Sequence, residues 1–380
     1  MKKSKMFRSL IMMIGLSLTI IITGCSNGSK NIDLNNSVPA GSSSGGTENP
    51  AYEISVGGLL GANNGFGLYM ASKQGYFSNR DIKADIHTEW TAGAPMLEAL
   101  PSGTWDIGWI GATACNTGVL EYGCSIIGVG GIDNTMQIFV REDSDVYAAG
   151  KGNCQEFPEI YGSADTLKGK TILCEKGTMH YLNLCLYLDK FGLTEEDVNI
   201  VHTELQSAFQ AFKAGQGDMI SVCSPVTADC ITSGYKCVET MDDIGAAQPC
   251  MIITTPEYAE AHRDEVVAFL KACMDVGMYL NDSENEESSV GLYQEFQKEE
   301  VGVETSKEDC SLVLSQISWY DSDDMKDLAE VNGNGVSGLE TLYDCITGYF
   351  VELGKISTED KETIMKAVDV SYLQEAVRSY

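Results

Sequence analysis

An internal repeat constrains the fold of this chain more than any other feature of its sequence. Residues 97–107 (LEALPSGTWDI) resemble residues 210–219 (QAFKAGQGDM), and this alignment places Asp106 over Asp218. Two shorter matches precede this one in both halves and keep the same order: residues 73–75 with residues 190–192, and residues 87–89 with residues 202–204. A repeat of this kind predicts two similar lobes. Because strands alternate with helices in each half, the predicted fold class is α/β.

The clearest local unit lies in the second half of the chain. The apolar run Thr171–Cys174 predicts a buried strand, and residues 179–190 place their leucines at helical spacing. Thr178 is placed to cap the start of this helix, and Gly192 can end it in the left-handed conformation. The free N–H groups of the first helical turn would point past Gly177, where they would hold an anion or a polar ligand group.

Patterns in the rest of the chain predict further elements. Strands are predicted at residues 53–60, 82–90, 105–110, 125–130, 136–141 and 250–254, and helices at residues 66–74, 94–100, 111–122 and 257–280. The strands at 136–141 and 250–254 would carry the chain from one lobe to the other and back, so they predict a hinge. The remaining residues to Tyr380 are predicted to form helices that pack on the first lobe.

The N-terminus resembles an export signal. Basic residues precede an apolar run at residues 10–22, which is shorter than a membrane span requires. The ending at residues 22–25 resembles a bacterial lipobox, so residues 1–24 are predicted to be a signal peptide and Cys25 the lipidated first residue. Residues 25–51, rich in Ser, Gly and Asn, predict a flexible tether. The protein is therefore expected to be exported and held by lipid at the outer face of the cell membrane.

Composition argues against several partners and cofactors. The chain has 25 basic and 55 acidic side chains, a formal net charge of −30, which argues against nucleic acid as a partner. Its thirteen cysteines form no CxxC pair and its four histidines are scattered, so neither a metal site nor a cofactor is predicted. Disulfides are permitted in an exported chain, but buried free cysteines are the preferred interpretation.

Several motifs occur in an order that is typical of one family. They are residues 68–77 (LYMASKQGYF), 99–107, 165–170 (DTLKGK), 177–178, 191–193 (FGL), 197–198, 211–219, 349–355 and 369–373. In this order the chain resembles the periplasmic-binding-protein-type solute receptors of ABC transporters, in the nitrate/sulfonate/taurine/bicarbonate group. The family that binds the pyrimidine precursor of thiamine is related to this group. The resemblance spans residues 52–380.

The resemblance implies a fold and a set of partners. The fold would be the type 2 periplasmic-binding-protein fold, with two similar α/β lobes joined by two crossing strands and a helical C-terminal extension packed on lobe one. Lobe one would comprise residues 52–138 and 249–380, and lobe two residues 139–248. The lobes would close on a small-molecule ligand and deliver it to a membrane permease with its cytoplasmic ATPase subunit. The receptor is expected to act as a monomer.

The resemblance also implies that loops at the helix starts of both lobes line the cleft. Amide, hydroxyl and backbone N–H groups would hold the ligand, aromatic side chains would cover it, and Glu204 would bind an ammonium group. The predicted ligand-binding residues are Asn63, Asn64, Phe66, Trp90, Gly93, Gly111, Ala112, Thr113, Gly177, Thr178, His180, Glu204, Ser224 and Pro225. Four kinds of residue have a structural alternative: asparagines as turn formers, Trp90 as core packing, His180 as a structural histidine, and Glu204 as a solvated strand-end residue.

Charged and nucleophilic residues limit the chemistry of the cleft. Arginine is scarce, and only Arg141, near the hinge, is placed to reach the cleft, so a bidentate arginine grip on a sulfonate or carboxylate is not evident. Asp106 and Asp218 occupy equivalent Gly-x-x-Asp turns, which favours a structural role in each lobe. Cys115 has no accompanying His–Asp pattern, so no catalytic residue is predicted.

The sequence therefore predicts a lipid-anchored solute-binding protein of an ABC importer. It would capture a small polar solute, such as a sulfonate, a taurine-like compound, nitrate or bicarbonate, by hinge closure. Two alternatives remain open. One is an enzyme on the same fold that forms a pyrimidine precursor, which would need a cluster rich in cysteine and histidine. The other is a sensory or adhesive surface lipoprotein.

Overall fold

The computed structural model describes residues 52–380, whose strands form two sheets. The strands are β1 (Tyr52–Leu59), β2 (Ile82–Trp90), β3 (Ile107–Gly111), β4 (Ser125–Asp133), β5 (Gln137–Val140), β6 (Thr171–Cys174), β7 (Asn199–His202), β8 (Met219–Val222), β9 (Lys236–Thr240), β10 (Pro249–Thr254) and β11 (Ile317–Trp319). Sheet one has the order β11-β4-β10-β3-β1-β2, and sheet two has the order β7-β6-β8-β5-β9. The predicted signal peptide, Cys25 and the tether lie outside the described residues.

The two sheets have the same topology. The order β4-β10-β3-β1-β2 in sheet one corresponds strand by strand to β9-β5-β8-β6-β7 in sheet two, and β11 is added at the edge of sheet one. In each sheet one strand runs antiparallel to both neighbours: β10 between β3 and β4, and β5 between β8 and β9. Strand β5 follows β4 in the chain and β10 follows β9, so β5 and β10 are the two crossing strands. The two-lobed α/β fold predicted from the repeat is confirmed.

The aspartates of the repeat make equivalent hydrogen bonds in the two lobes. Asp106 accepts a hydrogen bond at Oδ2 from the backbone N–H of Ser55 (2.9 Å) and donates its own N–H to the Ser55 carbonyl (2.8 Å). Asp218 accepts from the N–H of Thr171 (2.8 Å) and donates to the Thr171 carbonyl (2.7 Å). The Asp106 carboxylate thus joins the start of β3 to β1, and the Asp218 carboxylate joins the start of β8 to β6.

Helices follow most of the strands. They are α1 (Asn63–Lys73), α2 (Gly93–Ala99), α3 (Ala112–Tyr122), α4 (Asp145–Ala148), α5 (Ala164–Leu167), α6 (Met179–Asp189), α7 (Leu205–Lys213), α8 (Val226–Thr232), α9 (Pro256–Ala261), α10 (Arg263–Asn281), α11 (Glu286–Phe296), α12 (Lys307–Ser315), α13 (Ser322–Ala329), α14 (Gly338–Glu352), α15 (Thr358–Lys366) and α16 (Ser371–Arg378). Within residues 52–380, none of them is long and apolar enough to cross a membrane.

Helix boundaries agree with the sequence at α6 and differ elsewhere. Thr178 caps α6 by accepting a hydrogen bond from the Tyr181 N–H, and Gly192 has the left-handed φ of +67°. Helix α1 begins three residues before its predicted start. The single helix predicted at residues 257–280 is two helices, because His262 (φ −125°, ψ 40°) interrupts the helical backbone.

The C-terminal extension packs on lobe one, as predicted, and also reaches lobe two. Helix α10 packs against α1, β4 and α16, and α15 packs against α3. Helix α12 instead packs against α8, which belongs to lobe two. Strand β11, which the sequence analysis did not predict, joins the edge of sheet one beside β4.

Arg141 stabilises the core of lobe two and does not face the cleft. Its guanidinium donates to the carbonyls of Gly217 (2.7 Å) and Phe212 (2.7 Å), which lie at and beyond the end of α7. It also lies over the Phe212 ring at 4.1 Å from the centroid. Phe212 packs in a buried cluster with Phe139 and Ile220. The expectation that Arg141 could reach a ligand is therefore wrong, because the carbonyls at the end of α7 occupy its donors.

Candidate ligand-binding site

The candidate site lies where the edges of the two sheets meet. Strands β1 and β3 are parallel, and β4 has the same direction because both β3 and β4 pair antiparallel with β10. The carboxyl ends of β1, β3 and β4 and the start of β10 therefore share one edge of sheet one. In sheet two, the ends of β6 and β8 and the start of β5 share the equivalent edge. Only residues 134–136 separate β4 from β5, so these edges adjoin at the hinge, a common position for ligand sites in α/β folds.

A buried carboxylate stands at this junction. Asp133, the last residue of β4, is 8% exposed and accepts three hydrogen bonds. Asn63 donates its Nδ2 to Asp133 Oδ2 (2.7 Å), and Thr135 donates both its backbone N–H (2.9 Å) and its hydroxyl (2.6 Å) to Oδ1. The carboxylate thus links the start of α1 to the crossing segment between the two sheets.

The same hydrogen-bond network continues into lobe two. The backbone N–H of Ser224, after β8, donates to Thr135 Oγ1 (3.0 Å), and the Thr227 hydroxyl donates to the Thr135 carbonyl (2.6 Å). The Ser224 hydroxyl is 3.4 Å from the Tyr293 hydroxyl of α11. Residues from both lobes and from the C-terminal extension therefore meet at one point.

The returning chain adds Gln248 to the junction. Its backbone carbonyl accepts a hydrogen bond from the Asp133 N–H (2.8 Å), and its side chain is 7% exposed. The side-chain amide lies against Gly111, where an added Cβ would be 2.5 Å from Gln248 Nε2. A glycine at position 111 is therefore required for this close approach.

Several buried polar atoms at the junction have no hydrogen-bond partner. They include Asn63 Oδ1, Gln248 Oε1 and Thr113 Oγ1 in lobe one, Asn134 Oδ1 in the crossing segment, and His180 Nε2 in lobe two. Leaving a buried polar atom unpaired costs about 1–3 kcal/mol, so such atoms mark places where a bound molecule would add a partner.

Electrostatics at the junction are set by burial. Desolvation raises the pKa of Asp133, and its hydrogen bonds from Thr135 and Asn63 act in the opposite direction. Burial also raises the pKa of Cys223, Cys250 and Tyr293, to which the Asp133 charge contributes. These three groups are therefore neutral at physiological pH. Within residues 52–380, no basic side chain forms an ion pair with Asp133.

Several predicted residues of lobe one are held by packing near the junction. Asn64 donates its Nδ2 to the Trp109 carbonyl, which anchors the start of α1 on β3. Phe66 is fully buried, with its ring edge-on to Tyr293 at 4.9 Å between centroids. Ala112 is buried, and its carbonyl accepts from the Tyr343 hydroxyl (3.3 Å).

The end of β2 and the start of α2 carry two further predicted residues, Trp90 and Gly93. Trp90 is half-buried beside His87, with 6.3 Å between ring centroids, and its carbonyl accepts from the Leu60 N–H (2.8 Å). Gly93 starts α2, where an added Cβ would be 2.3 Å from the Ala114 Cβ, so it permits close packing of α2 on α3. A ligand contact of Trp90 or Gly93 stays a prediction.

The predicted residues of lobe two divide into exposed and buried groups. Gly177 is exposed with φ +84°, and the Thr178 hydroxyl donates to the Glu175 carbonyl (2.6 Å) while it caps α6. His180 is buried, and burial lowers its pKa to about 4, so it is neutral at physiological pH. Glu204 is exposed just before α7, and Pro225 precedes α8 directly after Ser224.

The C-terminal extension touches lobe two at a second place. Lys355, beyond α14, donates to the Tyr181 hydroxyl (3.0 Å) and lies 3.2 Å from Glu195 Oε2. Tyr181 also donates to Glu195. The Tyr349 hydroxyl donates to the Gly245 carbonyl (3.1 Å). These contacts bridge the two lobes away from the crossing strands.

Neither a metal-binding cluster nor a disulfide is found among the described residues. Across residues 52–380, no group of three or more His, Cys, Asp or Glu side chains is arranged to hold a metal ion. All twelve cysteines in this part of the chain are free thiols, and most are buried.

Comparison with known proteins identifies the family. A profile of the NMT1-like family matches residues 63–293, which is more than half of the chain. The chain belongs to the NMT1-like family. The matched segment runs from Asn63 to Tyr293, so it contains sheet two, part of sheet one and the residues of the junction network.

Named proteins similar to this NMT1-like chain are binding proteins. An ABC transporter periplasmic binding protein of Brachyspira hyodysenteriae is 28% identical over 288 residues, which cover 75% of this chain and 79% of the relative. An aliphatic sulfonates-binding protein of Bacillus subtilis is 25% identical over 214 residues, covering 54% of this chain and 59% of the relative.

Solved structures confirm the periplasmic-binding-protein fold. The alkanesulfonate-binding protein SsuA from Xanthomonas axonopodis pv. citri, solved bound to MOPS, superposes with a TM-score of 0.63. The two chains are 16% identical, and the match covers 83% of this chain and 98% of that chain. At this identity the likeness concerns the fold, and the ligand must be argued from the residues of this chain.

Sequence reasoning did not identify four residues of the junction: Asp133, Thr135, Gln248 and Tyr293. A signal was present for three of them, since polar residues directly flank the apolar crossing strands at 137–140 and 249–254. Polar side chains at the ends of crossing strands must meet at the hinge. No local signal marks Tyr293, because a distant part of the chain brings α11 to the site.

Proposed function

We propose that this protein is the extracytoplasmic solute-binding component of an ABC importer. The observation that carries the proposal is the junction network, in which Asn63, Asp133, Thr135 and Ser224 connect the two lobes around unpaired buried polar atoms. A ligand bound there would contact both lobes at once. The similarity to a periplasmic binding protein of an ABC transporter supports the same function.

The mechanism we propose is hinge closure. The crossing segments on both sides of β5 and β10 would flex, and a ligand would stabilise the closed state because it contacts two lobes there and one lobe when they are apart. The ligand would be a small polar solute, such as a sulfonate, a taurine-like compound, nitrate, bicarbonate or a related molecule. The predicted residues Thr113, Thr178 and His180 would complete the contacts from the helix starts.

The proposed setting follows from the N-terminal sequence. Lipid on Cys25 would hold the protein at the outer face of the cell membrane, and residues 25–51 would let the folded part move above it. The partners would be a membrane permease and its cytoplasmic ATPase subunit, and the protein would act as a monomer. Lobe one would span residues 52–138 and 249–380, and lobe two residues 139–248.

We propose binding without catalysis. Both candidate acids, Asp106 and Asp218, already join backbone groups within their own lobes. Cys115 is fully buried, and burial raises its thiol pKa far above the range in which a thiolate forms. Neither arrangement provides an accessible nucleophile with a base.

A thermal-shift screen of the mature chain tests the proposal. The panel contains sulfonates, taurine, nitrate, bicarbonate, amino acids and small amines. A compound present at about 100 times its dissociation constant should add about 2.7 kcal/mol of stability. Turnover of a panel compound, with no stabilising compound found, would contradict the receptor function.

A further inference from the structure

Two of the buried unpaired atoms at the junction, Asn63 Oδ1 and Gln248 Oε1, can only accept hydrogen bonds. Asn63 donates its amide N–H to Asp133, which fixes the orientation of the amide and leaves Oδ1 as a free acceptor. Asn63 is 2% exposed and Gln248 is 7% exposed, and Gln248 Oε1 is also without a partner. A bound molecule would therefore have to supply donors to these two oxygens.

The arrangement of the strands brings these acceptors together. Ile132 pairs with Pro249 in the antiparallel β4–β10 pair, so Asp133 and Gln248 are the next residues to face each other. Residues opposite each other in an antiparallel pair have their side chains on the same face of the sheet. Asn63 reaches that face through its 2.7 Å hydrogen bond to Asp133. The Asp133 carboxylate and the Gln248 side chain thus share one face of sheet one, and the Asn63 amide joins them there.

Five basic side chains of the described part of the chain, by contrast, make contacts away from Asp133. Arg80 pairs with Asp275, and Arg263 pairs with Glu375. Arg141 is bound to the end of α7. Lys176 and Lys355 lie over the Tyr181 ring, at 5.9 and 4.8 Å from its centroid. None of these cations balances Asp133.

The sign of the buried charge decides which ligand fits. A sulfonate placed beside Asp133 would put two negative groups in a low-dielectric site, which is strongly unfavourable. A protonated amine would pair with the carboxylate and donate to the free amide oxygens. The net charge of −30 would also attract cations to the protein surface.

We propose that the junction binds the N–H-bearing cationic group of a small organic ligand, a primary ammonium or an amidinium, through Asp133, Asn63 Oδ1 and Gln248 Oε1. This inference rests on the proposed function, because it names the class of solute that the same cleft would take. It favours amine-bearing solutes, including taurine-like zwitterions, over simple anions such as the sulfonates named for two relatives.

Paired probes test the inference. Calorimetry on the mature chain compares ethylammonium, butylammonium and benzylammonium with the sulfonates of the same carbon skeletons, and taurine with ethanesulfonate. We expect at least one amine-bearing probe to bind at least tenfold more tightly than its sulfonate partner. Tighter binding of the sulfonates would overturn the inference and leave the receptor function standing. If no probe of either class binds and the wider screen also fails, both proposals are wrong.

Variants assign the effect to the junction. Asp133→Asn should weaken binding of the amine-bearing probe at least tenfold, while Glu239→Gln, which removes an equally buried carboxylate inside lobe two, should change it less than twofold. Gln248→Met removes one acceptor at similar size and should weaken binding about threefold or more, so the test survives if Asp133→Asn does not fold. Amine affinity unchanged in both Asp133→Asn and Gln248→Met, or equal losses in Asp133→Asn and Glu239→Gln, would overturn the inference.

Discussion

Lobe one and lobe two each bury a carboxylate beside an asparagine, and the surroundings of the two pairs differ. Asp133 in lobe one accepts three hydrogen bonds, from Asn63 and twice from Thr135. Glu239 in lobe two, 1% exposed, accepts one from Asn183 Nδ2 (2.7 Å). Burial raises the pKa of both carboxyl groups. Three hydrogen-bond donors oppose this rise at Asp133, and one donor opposes it at Glu239.

The different surroundings indicate that the two carboxylate–asparagine pairs have different roles. Glu239 lies within β9 against α6, in the interior of a single lobe, where a protonated carboxyl group fits the low polarity. Both pairs leave unpaired oxygens, Asn63 Oδ1 in lobe one and Asn183 Oδ1 with Glu239 Oε1 in lobe two. Asp133 differs in its position, because it lies at the end of β4, where the chain crosses to the other sheet. We infer that the first pair serves the fold of its lobe and the second serves recognition.

The largest expected change in stability with pH comes from His180 in lobe two. Because burial lowers its pKa to about 4, the unfolded chain binds the proton first as the pH falls from about 6.5. Stability is therefore complete above about pH 6.5 and should fall by roughly 2–3 kcal/mol by about pH 4.5. Urea denaturation of the wild type and of His180→Asn measures this loss, which should be missing in the variant. Equal pH slopes in the two proteins would show that His180 is not buried in the neutral form.

Replacing the two carboxylates separates their structural roles. Asp133→Asn should cost the ligand-free protein about 1–3 kcal/mol at pH 7, because an asparagine cannot accept from all three donors. Glu239→Gln should not destabilise the protein at pH 7, since an amide resembles the protonated carboxyl group in size and polarity and does not lose stability as the pH rises. Chemical denaturation of both variants makes the comparison. Equal losses would mean that the two pairs are equivalent.

The pH dependence of Glu239 should have the opposite sign to that of His180. A raised pKa means that the folded protein holds the proton more tightly, so the stabilisation is present below the unfolded value of 4.5 and is lost as pH rises through the folded pKa. The wild type should therefore lose stability relative to Glu239→Gln as the pH rises above 4.5. A constant difference between the two proteins from pH 4 to pH 8 would contradict this.

The smallest effect concerns the second contact between the lobes. Lys355→Met removes the hydrogen bond to Tyr181 and the ion pair with Glu195, which should change stability by less than about 1 kcal/mol because the pair is partly exposed. Ligand affinity should nevertheless fall a few-fold if this contact favours the closed state. Lys361→Met, which breaks an ion pair with Asp344 within the extension, is the matched control. Equal losses of affinity in Lys355→Met and Lys361→Met would show that the Lys355 contact does not favour the closed state.

Much of the fold follows from the sequence because the repeat and the helix signals can each be recognised in short segments of the chain. The equivalent aspartates at 106 and 218 indicated two similar lobes, and Thr178 with Gly192 marked the ends of α6. The order of strands within each sheet is not local, since β10 inserts between β3 and β4 from far along the chain. Periodicity alone therefore does not predict which strand ends become neighbours.

The candidate site was predictable only in part, for the same reason. Asn63 and Ser224 follow strands, and general rules for α/β folds place such residues at a binding edge. Asp133 and Gln248 face each other only after two distant segments pair, and Phe66 joins the core because α11 brings Tyr293 and Phe296 to it. The proposed capture between two lobes therefore rests on the pairing of strands, which the sequence alone did not reveal.

Energy transfer between the lobes tests the central claim most directly. Dyes would be attached at Lys83→Cys in β2 and Asn199→Cys in β7, which are edge strands of the two sheets. A Cys345→Ser background removes the exposed thiol found among residues 52–380. The account predicts that an amine-bearing probe, at a concentration that saturates it in calorimetry, changes the transfer efficiency. The same concentration should cause a smaller change after Asp133→Asn, in proportion to the weaker binding. Calorimetric binding with an unchanged transfer efficiency would contradict closure of two lobes on the ligand.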